Sequence, residues 1–102
     1  MTEKVFIVLF DAKMKTYTDR RQYMEFLKLL KRNGFRLLQK SVYLKFCVDS
    51  SSLKTQSNKI KQFTPNNIRV IILEIPLRVF ANGSYFNCKS PELLKNKTIV
   101  CV

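Results

Sequence analysis

The sequence predicts an α+β sandwich in which a single sheet carries two helices on one face. Three features carry that reading. Short hydrophobic runs alternate along the chain with segments of helical period. Among the 102 residues 46% are hydrophobic and only two are glycine, a globular composition with apolar surface for one core. No repeat, low-complexity tract or shift in composition divides the chain, so 1–102 is read as one domain.

The first strand is Val5 to Phe10, an unbroken run of aliphatic, β-branched and aromatic residues that ends on a carboxylate, Asp11. The polar stretch "DAKMKTYTD" then loops into a helix over 18–33. Thr18 is its expected N-cap, Asp19 favours the dipole in the first turn, and Tyr23, Phe26, Leu27 and Leu30 share one face. Asn33-Gly34 supplies a left-handed stop. Phe35 to Val48 reads as one long strand bent near Ser41, with Leu38, Val42, Leu44 and Phe46 on one side and Gln39, Ser41 and Tyr43 on the other. "DSSS" breaks it and caps a second helix over 52–63, whose stripe of Leu53, Ile60 and Phe63 is thin. Pro65-Asn66-Asn67 is a turn, "IRVIILEI" at 68–75 a further strand, and 76–81 a single helical turn. "GSYFNC" at 83–88 is expected to add a fourth strand and "TIVCV" at 98–102 a short terminal one, across the polar connection "KSPELLKNK". The succession suits a ferredoxin-like sandwich of β-α-β-β-α-β type.

Two helices cover only one face of such a sheet, yet the first strand is apolar on both, Val5, Ile7 and Leu9 opposite Phe6, Val8 and Phe10. The strand at 68–75 repeats the pattern, with Val70 and Ile72 opposite Ile71 and Leu73. An uncovered second face would expose an apolar patch. A second copy of the chain is the simplest cover, and a C-terminal segment folded back over its own sheet is the alternative.

Lys and Arg number 19 against 7 Asp and Glu, a formal charge of +12 that attracts polyanions, nucleic acid first among them. A solvated basic surface is the plainer account of the same charge. The chain has no histidine, which excludes His-based triads, general bases and metal ligands. Cys47, Cys88 and Cys101 are widely spaced, without a CxxC pair, and are expected to be reduced core residues. No apolar run approaches the roughly 18 residues of a membrane span and no secretory leader is present, so a soluble, cytoplasmic protein is expected.

Two constellations carry chemistry. In a two-fold dimer packed through the helix-free face, an acid near the axis meets its symmetry mate, and the pair could anchor a hard divalent cation such as Mg²⁺. Asp11 is the candidate, on the Val5, Ile7 and Leu9 side of its strand; capping the next turn is the alternative role for it. Lys13 and Lys15 follow it, Arg20 and Arg21 lie at the helix start, and Arg36, Lys40 and Lys45 fall along the next strand. Together they could track a phosphate backbone, with the helix start as an anion seat.

The order "LFD", "TDRRQYMEFLKLLKRNGF", "LLQKSVY" resembles the CRISPR-associated protein 2 family, especially members from type II systems, and "EIPLRVFANGSYFN" with the closing "KTIVCV" resembles that family's final strand region. The resemblance implies a ferredoxin-like homodimer whose terminal strand region, 82–102 here, crosses to the partner subunit. It implies a place in the spacer-acquisition complex, between pairs of the CRISPR integrase subunit, holding duplex DNA. It also implies Mg²⁺-dependent endonuclease activity on RNA or DNA, with Asp11 as metal ligand and catalytic acid position, Arg20 as the helix-start arginine and Tyr43 at the "SVF" aromatic. Leu37 stands where many members carry an arginine, and "IPLRVF" replaces the usual "TEKQF"; both departures bear on catalysis more than on scaffolding. The expected function is therefore a DNA-binding adaptation subunit with an Mg²⁺-dependent endonuclease site. A purely architectural DNA-binding protein and a toxin-like metal-dependent ribonuclease are the alternatives.

Overall fold

The structure, a computed structural model, describes residues 3–47 and 52–87. Its elements are β1 (Lys4–Ala12), α1 (Tyr17–Arg32), β2 (Arg36–Gln39), β3 (Val42–Cys47), α2 (Leu53–Lys61), β4 (Ile68–Pro76) and α3 (Leu77–Ala81). The four strands form one sheet in the order β2-β3-β1-β4, and every neighbouring pair is antiparallel. The β-α-β-β-α-β succession with this strand order is the ferredoxin-like sandwich expected.

α1 starts two residues earlier than a Thr18 cap would set it, because Thr16 and Asp19 cap each other. Thr16 Oγ1 accepts from the Asp19 N–H at 3.0 Å, and the Asp19 carboxylate accepts from the Thr16 N–H at 3.3 Å. At the other end Gly34 takes φ +88°, a left-handed conformation that favours glycine, and a Cβ there would press on the Lys45 side chain, 3.1 Å from Cε.

The strand expected over 35–48 is two strands joined at Lys40-Ser41, with Ser41 at φ 66° and a register shift between Leu37 and Gln39. The Ser41 carbonyl accepts from the Phe10 N–H at 3.0 Å, tying this corner to the central strand. The strand expected over 83–88 is absent from 83–87. Tyr85 instead turns back onto α3, its hydroxyl donating to the Phe80 carbonyl and its ring meeting Phe80 edge-on at 5.7 Å. The terminal strand at 98–102 and the connection before it lie outside the described residues.

Phe6, Val8 and Phe10 of β1 enter the main core with Phe26 and Leu30 of α1, Tyr43 of β3 and Ile60 of α2. Phe10 meets Phe26 edge-on at 5.3 Å and Tyr43 at 5.8 Å. On the opposite face Val5, Leu44 and Phe46 form a smaller cluster roofed by Phe80 and bordered by Tyr85. Cys47 is fully buried and forms half of a disulfide, which corrects the expectation of three reduced thiols. No helix among the described residues is long and apolar enough to cross a membrane.

Candidate nucleic-acid and metal site at the end of β1

The alternation of β1 decides where its terminal acid points. Phe6, Val8 and Phe10 go to the helices, so Val5, Ile7, Leu9 and Asp11 face the other side. α3 covers that side only at the Val5 end. Toward the Asp11 end, Ile7 pairs with Leu73 and Leu9 with Ile71 across β4, and Leu73 and Ile71 remain 46% and 60% exposed. The face opposite α1 and α2 is thus roofed over half its length by the chain's own α3 and Tyr85, while among the described residues an apolar strip remains uncovered and ends on Asp11.

Asp11 stands directly opposite Arg69 in the β1–β4 ladder, and an Arg69 Nη2 hydrogen donates to Asp11 Oδ2. Both side chains are largely solvated, at 69% for Asp11 and 86% for Arg69. Arg69 was not singled out in the sequence. The signal that could have found it is its place at the start of "IRVIILEI": if that strand runs antiparallel to "VFIVLFD", its first cation meets the other's last anion.

The loop leaving Asp11 is held rather than free. Lys13 and Asn67 are joined twice, by the Lys13 N–H to the Asn67 carbonyl at 2.8 Å and by Asn67 Nδ2 to the Lys13 carbonyl at 3.0 Å. Asn67 Nδ2 also reaches the Asp19 carbonyl at 3.4 Å, which ties the start of α1 to the same turn. Asn67, read from sequence only as part of a turn, therefore fixes the frame from which Lys13 and Lys15 project into solvent.

The expected basic residues separate into groups. Lys13, Lys15, Arg20, Arg21 and Lys40 are exposed. Arg21 is engaged with Glu25 at 3.4 Å, whereas Arg20 has no ion-pair partner among the described residues. Arg36 is half-buried opposite Leu44. Lys45 is withdrawn from the surface altogether, only 2% exposed. It stands opposite Phe6 on the helix-covered side, where Nζ lies 3.5 Å from Gln56 Oε1 and 5.6 Å from the centre of the Phe35 ring. The one-residue alternation of β3 places it there, so Lys45 corrects the surface track drawn from sequence. Nor is the start of α1 an open anion seat, since the Asp19 carboxylate already accepts the Lys15 N–H at 3.1 Å as well as that of Thr16.

Tyr43, the aromatic of "SVY", is 4% exposed in the main core rather than at the surface. Burial pushes its phenol above the ordinary value of 10.0, and the neighbouring Tyr23 adds to the rise. Leu37, in contrast, is 57% exposed on the edge strand.

Whether a divalent cation fits is a question of donors. The described residues contain no group of three His, Cys, Asp or Glu side chains that could hold a metal ion. A solvated carboxylate such as that of Asp11 is, however, the hard oxygen ligand Mg²⁺ takes, and Mg²⁺ keeps most of its water, needing only one or two such groups beside phosphate oxygens. The donor chemistry fits, since the Asp11 carboxylate supplies one such group.

Residues 4–82 match the sequence family described as "CRISPR associated protein Cas2". Three similar proteins all bear the name "CRISPR-associated endoribonuclease Cas2". The one from Streptococcus mutans is 30% identical over 90 residues, 88% of this chain and 84% of that protein. The one from Flavobacterium psychrophilum is 27% identical over 85 residues, 83% and 74% of the two chains. The one from Ligilactobacillus salivarius is 33% identical over 60 residues, spanning 59% of each chain.

Proposed function

Because the chain belongs to the CRISPR-associated Cas2 family, we propose that it acts as a homodimeric, cytoplasmic subunit of the spacer-acquisition machinery that holds duplex DNA between integrase subunits and cleaves nucleic acid at the end of β1. The observation that supports this best is the strip of exposed Ile71 and Leu73 beside half-buried Ile7 and Leu9 that ends on Asp11. A two-fold contact through the strip would bury apolar surface and bring one Asp11 toward the other.

Asp11 and its symmetry mate would hold the Mg²⁺, which when bound supplies an acidified water and neutralises charge on a phosphodiester. Arg20, exposed and without an ion-pair partner among the described residues, is available to fork onto a non-bridging phosphate oxygen and to stabilise the charge that accumulates there. Lys13 and Lys15, on a loop held by Asn67, grip the flanking phosphates and orient the backbone without reading bases. RNA is the substrate class that the relatives' names carry, and duplex DNA the ligand of the adaptation role.

A purely architectural reading is favoured by one observation, the Asp11–Arg69 ion pair, which gives the carboxylate a partner that requires no metal. Asp11→Asn separates the two. Under the enzyme reading it abolishes Mg²⁺-dependent cleavage of a labelled RNA while duplex retention in a gel-shift assay persists. Cleavage that survives the substitution removes Asp11 from the reaction, and an absence of cleavage in the unaltered protein together with duplex retention leaves the architectural role.

A further inference from the structure

We propose that Arg69 is a positioning residue that keeps the Asp11 carboxylate in a closed ion pair until a backbone phosphate draws its guanidinium away, so that nucleic acid and a divalent cation load together at this strand end. The inference rests on the reading of Asp11 as a cation-holding residue.

The antiparallel ladder makes Asp11 and Arg69 direct cross-strand neighbours on the face opposite α1 and α2, and Arg69 Nη2 donates to Asp11 Oδ2. A carboxylate whose oxygen and charge are taken by a guanidinium is a poorer ligand for a hard cation. Arg69 is 86% exposed, so little packing holds its stem and the guanidinium can swing outward. Guanidinium forks onto phosphate with the same geometry it uses for carboxylate. A phosphodiester arriving on this face therefore competes for Arg69. It frees the Asp11 charge and adds oxygen ligands of the kind Mg²⁺ takes. Linkage makes the effect mutual: nucleic acid strengthens cation binding, and the cation strengthens nucleic-acid binding by the same factor. For a solvated ion pair of this kind the expected factor is about two- to fivefold.

The test is a Mn²⁺ titration of the full chain followed by electron paramagnetic resonance, without and with a phosphorothioate DNA duplex that resists cleavage. Mn²⁺ held by the duplex itself is subtracted with Asp11→Asn. Arg69→Gln is expected to tighten Asp11-dependent Mn²⁺ binding about two- to fivefold without DNA and to lose most of the further gain that DNA gives the unaltered protein. Arg69→Lys should fall between, because an ammonium pairs as a point charge without the fork. Thermal midpoints confirm that the variants are folded. If Arg69→Gln leaves both the affinity and the DNA response unchanged while Asp11→Asn still weakens binding, the gating role is overturned and the cation site stands. If Asp11→Asn weakens Mn²⁺ binding in neither background, the cation reading and the gating role are overturned together.

Discussion

Ile71→Asp puts the covered-face argument to its most direct test. Ile71 is 60% exposed on the uncovered strip and lies opposite Leu9. Burying a whole Ile side chain stabilises by about 1.5–3 kcal/mol, so covering the exposed fraction is worth about 1–2 kcal/mol per protomer. In a two-fold contact each residue counts twice, for a total of about 2–4 kcal/mol. At about 1.4 kcal/mol per tenfold, the dimerisation constant should weaken by about thirtyfold to nearly a thousandfold. The desolvation of two new carboxylates adds to that loss. Sedimentation equilibrium from nanomolar to micromolar concentration reads the constant directly. Met24→Asp, on exposed α1 and so on the opposite side of the sheet, is the matched control and should leave association unaltered. An Ile71→Asp protein that self-associates like the unaltered chain, or an unaltered chain that stays monomeric throughout, refutes the reasoning.

Lys45 and Arg20 should behave as opposites. Lys45→Met is expected to cost about 1–3 kcal/mol in urea unfolding, because a buried polar contact with Gln56 is lost, and to leave the salt dependence of DNA binding unchanged. Arg20→Ala should leave stability within about 0.5 kcal/mol and reduce the salt slope by about 0.9 if it contacts one phosphate. Asp19→Ala removes half of the reciprocal cap with Thr16 and should cost about 1 kcal/mol, a fall in Tm of about 4–8 °C for a domain of this size. The Tyr43 phenol, raised by burial and by Tyr23, gives stability a definite pH dependence. The unfolded chain deprotonates first as pH rises, so the contribution is intact below the ordinary value of 10.0 and is lost as pH climbs from there through the folded value. Tyr43→Phe should flatten that alkaline limb in thermal melts recorded from pH 8 to about 11.

Periodicity and local chemistry were enough to locate α1, α2, β1, β4 and the single turn of α3 to within a few residues, since each depends on side chains that are near neighbours in sequence. The double-sided apolarity of β1 was equally legible, and with it the need for two covers. Three features were not. The bend near Ser41 is legible, but its completion into a break between two strands carries no glycine and follows from pairing with the central strand through Phe10. The aromatic alternation of "GSYFN" imitates a strand, but Tyr85 gains more from packing on Phe80 and donating to its carbonyl. The cap of α1 went to Thr16 because reciprocal bonding with Asp19 satisfies two orphan groups where Thr18 would satisfy one.

At the candidate site the division has the same origin. That Asp11 closes an apolar strand and lies on the face of Val5, Ile7 and Leu9 follows from alternation along one segment. That this face lies opposite α1 and α2 and is only half roofed by α3, that Arg69 stands opposite Asp11, and that Lys45 sits under α2 beside Gln56 depend on strand order and register among segments up to 58 residues apart. Residues adjacent in sequence constrain each other through the backbone, whereas residues brought together across a sheet meet only because burying the whole apolar set selects one register.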